Sequence, residues 1–154
     1  MRPNRRSKTA LLGLDVRQQP GMEQLPDKLN AEKNHSLLEY MSGQSAHSDV
    51  ANVLEIAITP LGEAHTYCPD PDNYRYLIAY VNDTVFSYAA GMRTVAFRLS
   101  SGYKQRAIET GGEAVNSIGN EWVAFELFRS DWPEVDVRFW ARKAYLFALG
   151  ADVA

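Results

Sequence analysis

One short stretch of the chain, from Glu63 to Asn73, combines residue types that could do chemistry. It contains His65 and the chain's single cysteine, Cys68, followed by two carboxylates at Asp70 and Asp72. A neutral imidazole and a thiolate separated by two residues have a spacing that zinc can use. The same pair is compatible with a thiol nucleophile and its general base.

The sequence does not supply the further residues that a metal site would need. A structural zinc site takes four ligands, and only His35 and His47 remain as further nitrogen donors. Asp70, Asp72 and Asn73 suit a hard cation, but the glycine and the distal glutamate of a calcium loop are not at their required spacing. The simpler interpretation is a polar loop whose prolines set an extended backbone. We therefore assign no catalytic or metal-binding residue and expect no cofactor.

A second group of residues could bind an anionic partner, because it combines cations with aromatic rings. The candidate contact residues lie at the N terminus and in the middle of the chain: Arg2, Arg5, Arg6, Lys8, Arg93, Arg98, Lys104 and Arg106. Tyr88 and Tyr103 lie among the second set, and stacking rings between cations are typical of surfaces that bind nucleic acid. Several glutamates close in sequence oppose this interpretation.

Residues 1–35 differ in composition from the rest of the chain. They carry seven Lys/Arg against four Asp/Glu, three prolines and no aromatic residue. Such a segment buries little apolar surface, so we predict a flexible or extended N-terminal arm. The arm is either a basic segment that grips a partner or a solvated tail. Residues 36–154 are predicted to form a single domain.

Composition narrows the class of protein. The chain has 154 residues, a net charge of −3 and an ordinary apolar fraction, which predicts one globular domain with a core. A single cysteine allows no disulfide framework within the chain. No apolar run approaches the roughly 20 residues needed to span a bilayer. We expect a cytoplasmic protein that does not bind membranes.

The elements that must position these residues centre on the stretch from Asp83 to Leu99. It reads as two strands joined by a tight turn at Gly91, with Val95, Phe97 and Leu99 alternating toward the core. On the partner strand, Val85, Ser87 and Ala89 should face one way and Phe86, Tyr88 and Ala90 the other. Two further strands are predicted over 74–81 and 121–129, the latter with these core residues: Val123, Phe125 and Leu127.

Helical spacing and capping signals predict four helices. They are a short helix ending at Gly43, a helix capped by Ser48 or Asp49 that runs to about Thr59, a helix beginning at Ser100, and a terminal helix over 132–149 capped by Asp131. We predict a single-domain α+β fold. It should consist of a four-stranded, mostly antiparallel sheet with helices on one face and the C-terminal helix packed against it.

Three local signatures carry a family resemblance. They are V-F-S-Y-A-A-G-M-R-T-V-A-F-R-L, S-S-G-Y-K-Q-R-A-I-E-T-G-G and E-W-V-A-F-E-L-F-R-S-D-W-P-E. In this order they resemble the MmcQ/YjbR-like family over about residues 48–149. The resemblance implies an antiparallel sheet packed by helices and is compatible with a DNA-binding role. The family's Asn-Lys-x-x-Trp run is replaced here by Asn120-Glu121-Trp122, and no functional residue is carried over.

These observations lead to three hypotheses for function. The first is a non-enzymatic protein that acts through protein–protein contacts. The second is a nucleic-acid-binding protein that uses the basic arm and the basic residues of the hairpin. The third is a small enzyme that depends on Cys68 and His65.

Overall fold

A computed structural model describes residues 25–69, 76–130 and 134–150 of the chain. Two 3-10 turns, at Asp27–Asn30 and Glu32–Asn34, come first. The elements that follow are α1 (His35–Met41), α2 (Ser48–Ile58), β1 (His65–Tyr67), β2 (Leu77–Val81), β3 (Thr84–Ala90), β4 (Thr94–Arg98), α3 (Ser101–Glu109), β5 (Glu113–Ala114), β6 (Trp122–Glu126) and α4 (Val137–Ala148).

The strands form one antiparallel sheet in the order β1-β2-β3-β4-β6-β5. The predicted α+β class is thereby confirmed, but the predicted number of four strands is wrong, because the described residues contain six. The two additional strands, β1 and β5, have three and two residues. They are too short to show the alternation by which a strand is recognised.

The central hairpin is confirmed in position, and the structure supplies its register. Strand β3 pairs with β4 so that Tyr88 faces Ala96 and Ala90 faces Thr94. Gly91 has a φ of 66°, the left-handed conformation for which glycine is suited in a tight turn. Val95 and Phe97 are fully buried on the face that was predicted.

A β-bulge changes the orientation of the first half of β3. Ala79 of β2 lies opposite Ser87 while the next residue, Tyr80, lies opposite Val85, so Phe86 is the extra residue. A bulge inserts one residue against its partner strand and interrupts the alternation of side chains. The predicted alternation of β3 is therefore wrong before the bulge: Phe86 packs in the same cluster as Ala89 rather than with Tyr88.

Helices cover both faces of the sheet, whereas the sequence predicted helices on one face only. Helices α2 and α4 pack on the first face through residues such as Leu54 and Trp140, and this cluster is called the α2–α4 layer. Leu29 and Met41 pack on the second face, and this cluster is called the α1 layer. The seven residues of β3 are all buried because the strand lies between the two layers. The prediction that the C-terminal helix packs against the sheet is confirmed.

The α1 layer begins before the predicted end of the arm at residue 35. Leu29 is fully buried and Asn34 is 1% exposed. The Asn34 side-chain amide donates hydrogen bonds to the Leu29 carbonyl (3.1 Å) and the Asp83 carbonyl (2.8 Å), and its oxygen accepts one from the Val85 N–H (3.1 Å). These bonds fasten the segment to the β2–β3 turn, so residues 25–35 belong to the folded body. Residues 1–24 lie outside the described residues, and the arm stays a prediction for them.

An ion pair beside Asn34 leads to a prediction about pH. The Lys33 ammonium donates to the Asp83 carboxylate at 3.0 Å, and this bond, together with one from Thr84, lowers the pKa of Asp83 below its ordinary value of 3.8. A lowered folded-state pKa adds stability above pH 3.8 that is lost as the pH falls through the folded value. In Lys33→Met, we expect the Asp83 pKa measured by NMR titration to rise toward 3.8. The control Lys28→Met should leave the Asp83 pKa unchanged. The same Asp83 pKa in both variants would show that Lys33 does not lower it.

Two helices begin at residues other than those predicted. Helix α2 is capped by His47, whose Nδ1 accepts from the Asp49 N–H at 3.1 Å, rather than by Ser48 or Asp49. Helix α4 begins at Val137, where the Asp136 carboxylate accepts from the Phe139 N–H at 3.1 Å. This second acceptor caps the helix after the predicted start, and residues 134–136 are not helical. The predicted cap itself, Asp131, lies outside the described residues.

Candidate binding surfaces

The structure does not bring His65 and Cys68 together. The His65 ring lies against the Tyr80 ring, with centroids 5.6 Å apart, and Tyr80 belongs to the α1 layer. Cys68 packs instead against the α2–α4 layer on the other face of the sheet. Residues three apart on an extended chain point to opposite faces. Neither a shared zinc site nor a thiol–imidazole pair has support from this geometry.

The remaining members of the polar stretch do not complete a metal site within the described residues. Asp70, Asp72 and Asn73 lie outside them. The Glu63 backbone N–H donates to the Tyr145 hydroxyl of α4 at 3.1 Å, which fixes the loop before β1 against the helix. In the ranges that the structure describes, no group of three or more His, Cys, Asp or Glu side chains is placed to hold a metal ion.

The basic residues predicted to form a contact surface around the hairpin make different contacts in the structure. Arg98 forms an ion pair with Glu121 at 2.7 Å, and the Lys104 ammonium donates to the Asn120 carbonyl, so both hold the turn before β6. Arg93 lies in the β3–β4 turn, at the far end of β4 from Arg98, about 17 Å away along a five-residue strand. Arg93 is thus separated from Arg98 by the length of β4. Arg2, Arg5, Arg6 and Lys8 lie outside the described residues.

Arg106 instead takes part in a cation–aromatic cluster between α3 and α4. Its guanidinium carbon and the Lys143 ammonium each lie 4.7 Å from the centroid of the Tyr103 ring. The Phe139 ring meets Tyr103 nearly edge-on at 6.3 Å and is 5.7 Å from the same ammonium. The sequence identified Arg106 and the Tyr103 ring as candidate contacts but not Lys143 or Phe139. The three- and four-residue spacings within each helix were visible, but the approach of α3 to α4 was not.

A groove of about 500 Å³ runs between α2 and the beginning of α4. Its apolar lining comes from Val53, Ile56 and Ala57 of α2 and from Val135 and Val137. Ile56 is 57% exposed and lies beside this cavity. The unfilled apolar lining makes this groove a candidate contact surface.

The groove continues along α4 and carries opposite charges at its two ends. A second cavity of about 400 Å³ shares Ala57 and Arg138 with the first and extends to Arg142. The carboxylates of Glu134 and Asp136 lie at the other end. We call the two joined cavities the α2–α4 groove. Its apolar floor lies between an acidic end and a basic end.

Two further exposed apolar residues lie at one end of the sheet. Met92 is 66% exposed and Phe128 is 59% exposed. The Leu127 N–H donates to the Arg93 carbonyl at 2.7 Å, which places the two segments side by side. Phe128 has a φ of 62°, a strained conformation for a non-glycine residue. This pair is small and lines none of the cavities found among the described residues.

Comparison with known proteins adds no family to this description. A scan against protein-family models found no match, and searches of curated proteins and of solved structures found none either. The resemblance to the MmcQ/YjbR-like family therefore stays a prediction. Within the described ranges, no helix has both the length and the apolar composition to cross a membrane.

Proposed function

We propose that this chain is a non-enzymatic binding protein that acts through protein–protein contacts at the α2–α4 groove. The occupant is an amphipathic segment of another protein, whose apolar side chains enter the groove. The observation that carries the proposal is Ile56, which leaves more than half of its surface in water beside an unfilled apolar cavity. Recognition of an amphipathic helix by a hydrophobic groove is a recurring mode of peptide binding.

The charges at the two ends give the groove a direction. Glu134 and Asp136 favour a basic residue of the partner at one end, while Arg138 and Arg142 favour an acidic residue at the other. Complementary charges mainly set the orientation and the association rate, whereas the buried apolar side chains supply most of the affinity. The partner segment is therefore expected to carry acid and base at opposite ends of an apolar stripe.

Ile56→Glu tests the groove directly. Full burial of an isoleucine side chain contributes about 2 kcal/mol, and Ile56 has 57% of its surface left to bury. Its loss should therefore lower the affinity for a true partner by about 1.1 kcal/mol, or about six-fold. The full chain would be immobilised, exposed to an extract of the cells that produce it, and the retained proteins compared by quantitative mass spectrometry. The matched control is Met92→Glu, which replaces another exposed apolar residue at a distance from the groove.

The supporting result is a protein that the unchanged chain and Met92→Glu retain equally and Ile56→Glu loses. Both residues are exposed, so thermal unfolding of the two variants should stay close to that of the unchanged chain. A set of retained proteins that does not differ between Ile56→Glu and Met92→Glu contradicts the proposal. A loss of self-association in Ile56→Glu alone would replace the foreign partner by a second copy of this chain.

A further inference from the structure

The cation–aromatic cluster holds two positive charges close together on the outer surface of α3 and α4. Arg106 and Lys143 each lie 4.7 Å from one ring centroid, so their charges are within about 9 Å of each other. That separation is less than the Debye length of about 10 Å at 0.1 M salt, so the two charges repel each other. Among the described residues, no carboxylate forms an ion pair with either. A bound anion would relieve this repulsion.

Helix α4 extends the positive surface beyond the cluster. Within Val137–Ala148 it contains Arg138, Arg142 and Lys143 and no acidic residue. Arg142 directly precedes Lys143 and is exposed. From residue 25 to the end, the chain carries eleven Lys/Arg against seventeen Asp/Glu. The cations of α4 therefore form a local positive surface on an acidic body, which indicates a ligand that is attracted to this one place.

We propose that this surface, formed by Arg106, Arg142 and Lys143 with the rings of Tyr103 and Phe139, binds single-stranded nucleic acid. The cations contact backbone phosphates, and unpaired bases stack against the partly exposed Phe139 ring and the guanidinium planes. Interleaved cations and aromatic rings are the shared feature of surfaces that bind single strands without reading their sequence. An acidic protein would satisfy the charges but would offer nothing planar to stack on the partly exposed Phe139 ring.

The test uses a fluorescein-labelled oligo(dT) of roughly twelve nucleotides, a length within the usual site size for single-strand binders. Binding to the full chain is measured by fluorescence anisotropy at several salt concentrations. Three phosphate contacts predict a slope of log K against log salt of about −2, which is a loss of about twenty-fold between 50 and 200 mM. The double variant Arg106→Gln/Lys143→Gln keeps one phosphate contact. The slope of log K against log salt should therefore become shallower, about −0.7.

The matched control is Lys28→Gln. Lys28 also places its ammonium over a tyrosine ring, 5.4 Å from the centroid of Tyr80, but it does so in the α1 layer on the other face of the sheet. The proposal is supported if Lys28→Gln binds as the unchanged chain does while the double variant loses affinity and slope. It is overturned if the oligonucleotide does not bind at 50 mM salt, or if the two variants bind equally. It is also overturned if a duplex of the same length or poly-glutamate displaces the oligonucleotide as well as unlabelled oligo(dT) does. This surface shares Arg142 with the basic end of the α2–α4 groove. Its test changes neither Arg142 nor Ile56, so its failure is distinguishable from the failure of the protein contact proposed at Ile56.

Discussion

Replacing Asn34 by alanine is expected to lower the free energy of unfolding by about 3 kcal/mol, because two buried backbone groups and one part-buried backbone group lose their partner at once. The Leu29 and Asp83 carbonyls would lose a donor, and the Val85 N–H would lose its acceptor. Asn34 is 1% exposed, so water cannot replace its bonds to Leu29 and Val85 without opening the α1 layer. Urea unfolding followed by circular dichroism would measure the change.

Asn30→Ala is the matched control for Asn34→Ala. It makes the same substitution at an exposed position of the preceding turn, where a change within about 0.5 kcal/mol is expected. Hydrogen exchange at the Val85 amide provides a second readout, because only Asn34→Ala should accelerate it. Equal losses of stability in the two variants would show that the bonds of Asn34 do not hold the segment to the sheet.

Gly112→Ala is expected to destabilise the fold by about 2 kcal/mol through overpacking. A Cβ atom at this position would lie 2.5 Å from Val123 Cγ1, 3.1 Å from Phe125 Cε1 and 3.0 Å from the Ala107 carbonyl oxygen. Neither neighbouring side chain can move away easily, since both are packed in the α2–α4 layer. Thermal unfolding and urea unfolding of the variant would both report the loss.

Gly43→Ala is the control for Gly112→Ala, because a Cβ there meets nothing within 4 Å and no positive φ is involved. It should leave stability unchanged or raise it by up to about 1 kcal/mol through the entropy of the unfolded chain. A double-mutant cycle with Val123→Ala locates the clash: the shortened side chain should recover part of the loss. Without such coupling, close packing at Gly112 would not be the cause.

The orientation of side chains was predictable in a strand with one more exposed face. It was less predictable in strands that are buried on both faces. In β6, Val123 and Phe125 are buried while Ala124 and Glu126 are more exposed, and the sequence identifies the orientation of the two core residues correctly. In β2 and β3 every residue is buried, which removes the polar positions that mark the outward face. The bulge at Phe86 could not be predicted either, because no polar position marks the change in side-chain orientation. The packing of Leu29 on the second face also depends on contacts far away along the chain.

The candidate surfaces were less predictable than the fold, because each combines elements that are distant in sequence. His65 and Cys68 are close along the chain, but the strand directs them to opposite layers. Arg106 and Lys143 are 37 positions apart and meet at one ring only because α3 packs beside α4. Local spacing predicts which face of an element a residue occupies. It does not predict which faces of different elements will adjoin.

The coverage of the sheet on both faces has a practical consequence for spectroscopy. Trp122 lies in the α1 layer, 5.6 Å from the Tyr88 ring, while Trp140 stacks on Phe125 at 5.6 Å in the α2–α4 layer. The two indoles thus sit on either side of one β-sheet, each surrounded by a different set of neighbours. The chain's third tryptophan, Trp132, lies outside the described residues. A Trp132→Phe variant would retain one indole in each half of the interior, so its emission should distinguish disruption of one half from collapse of both.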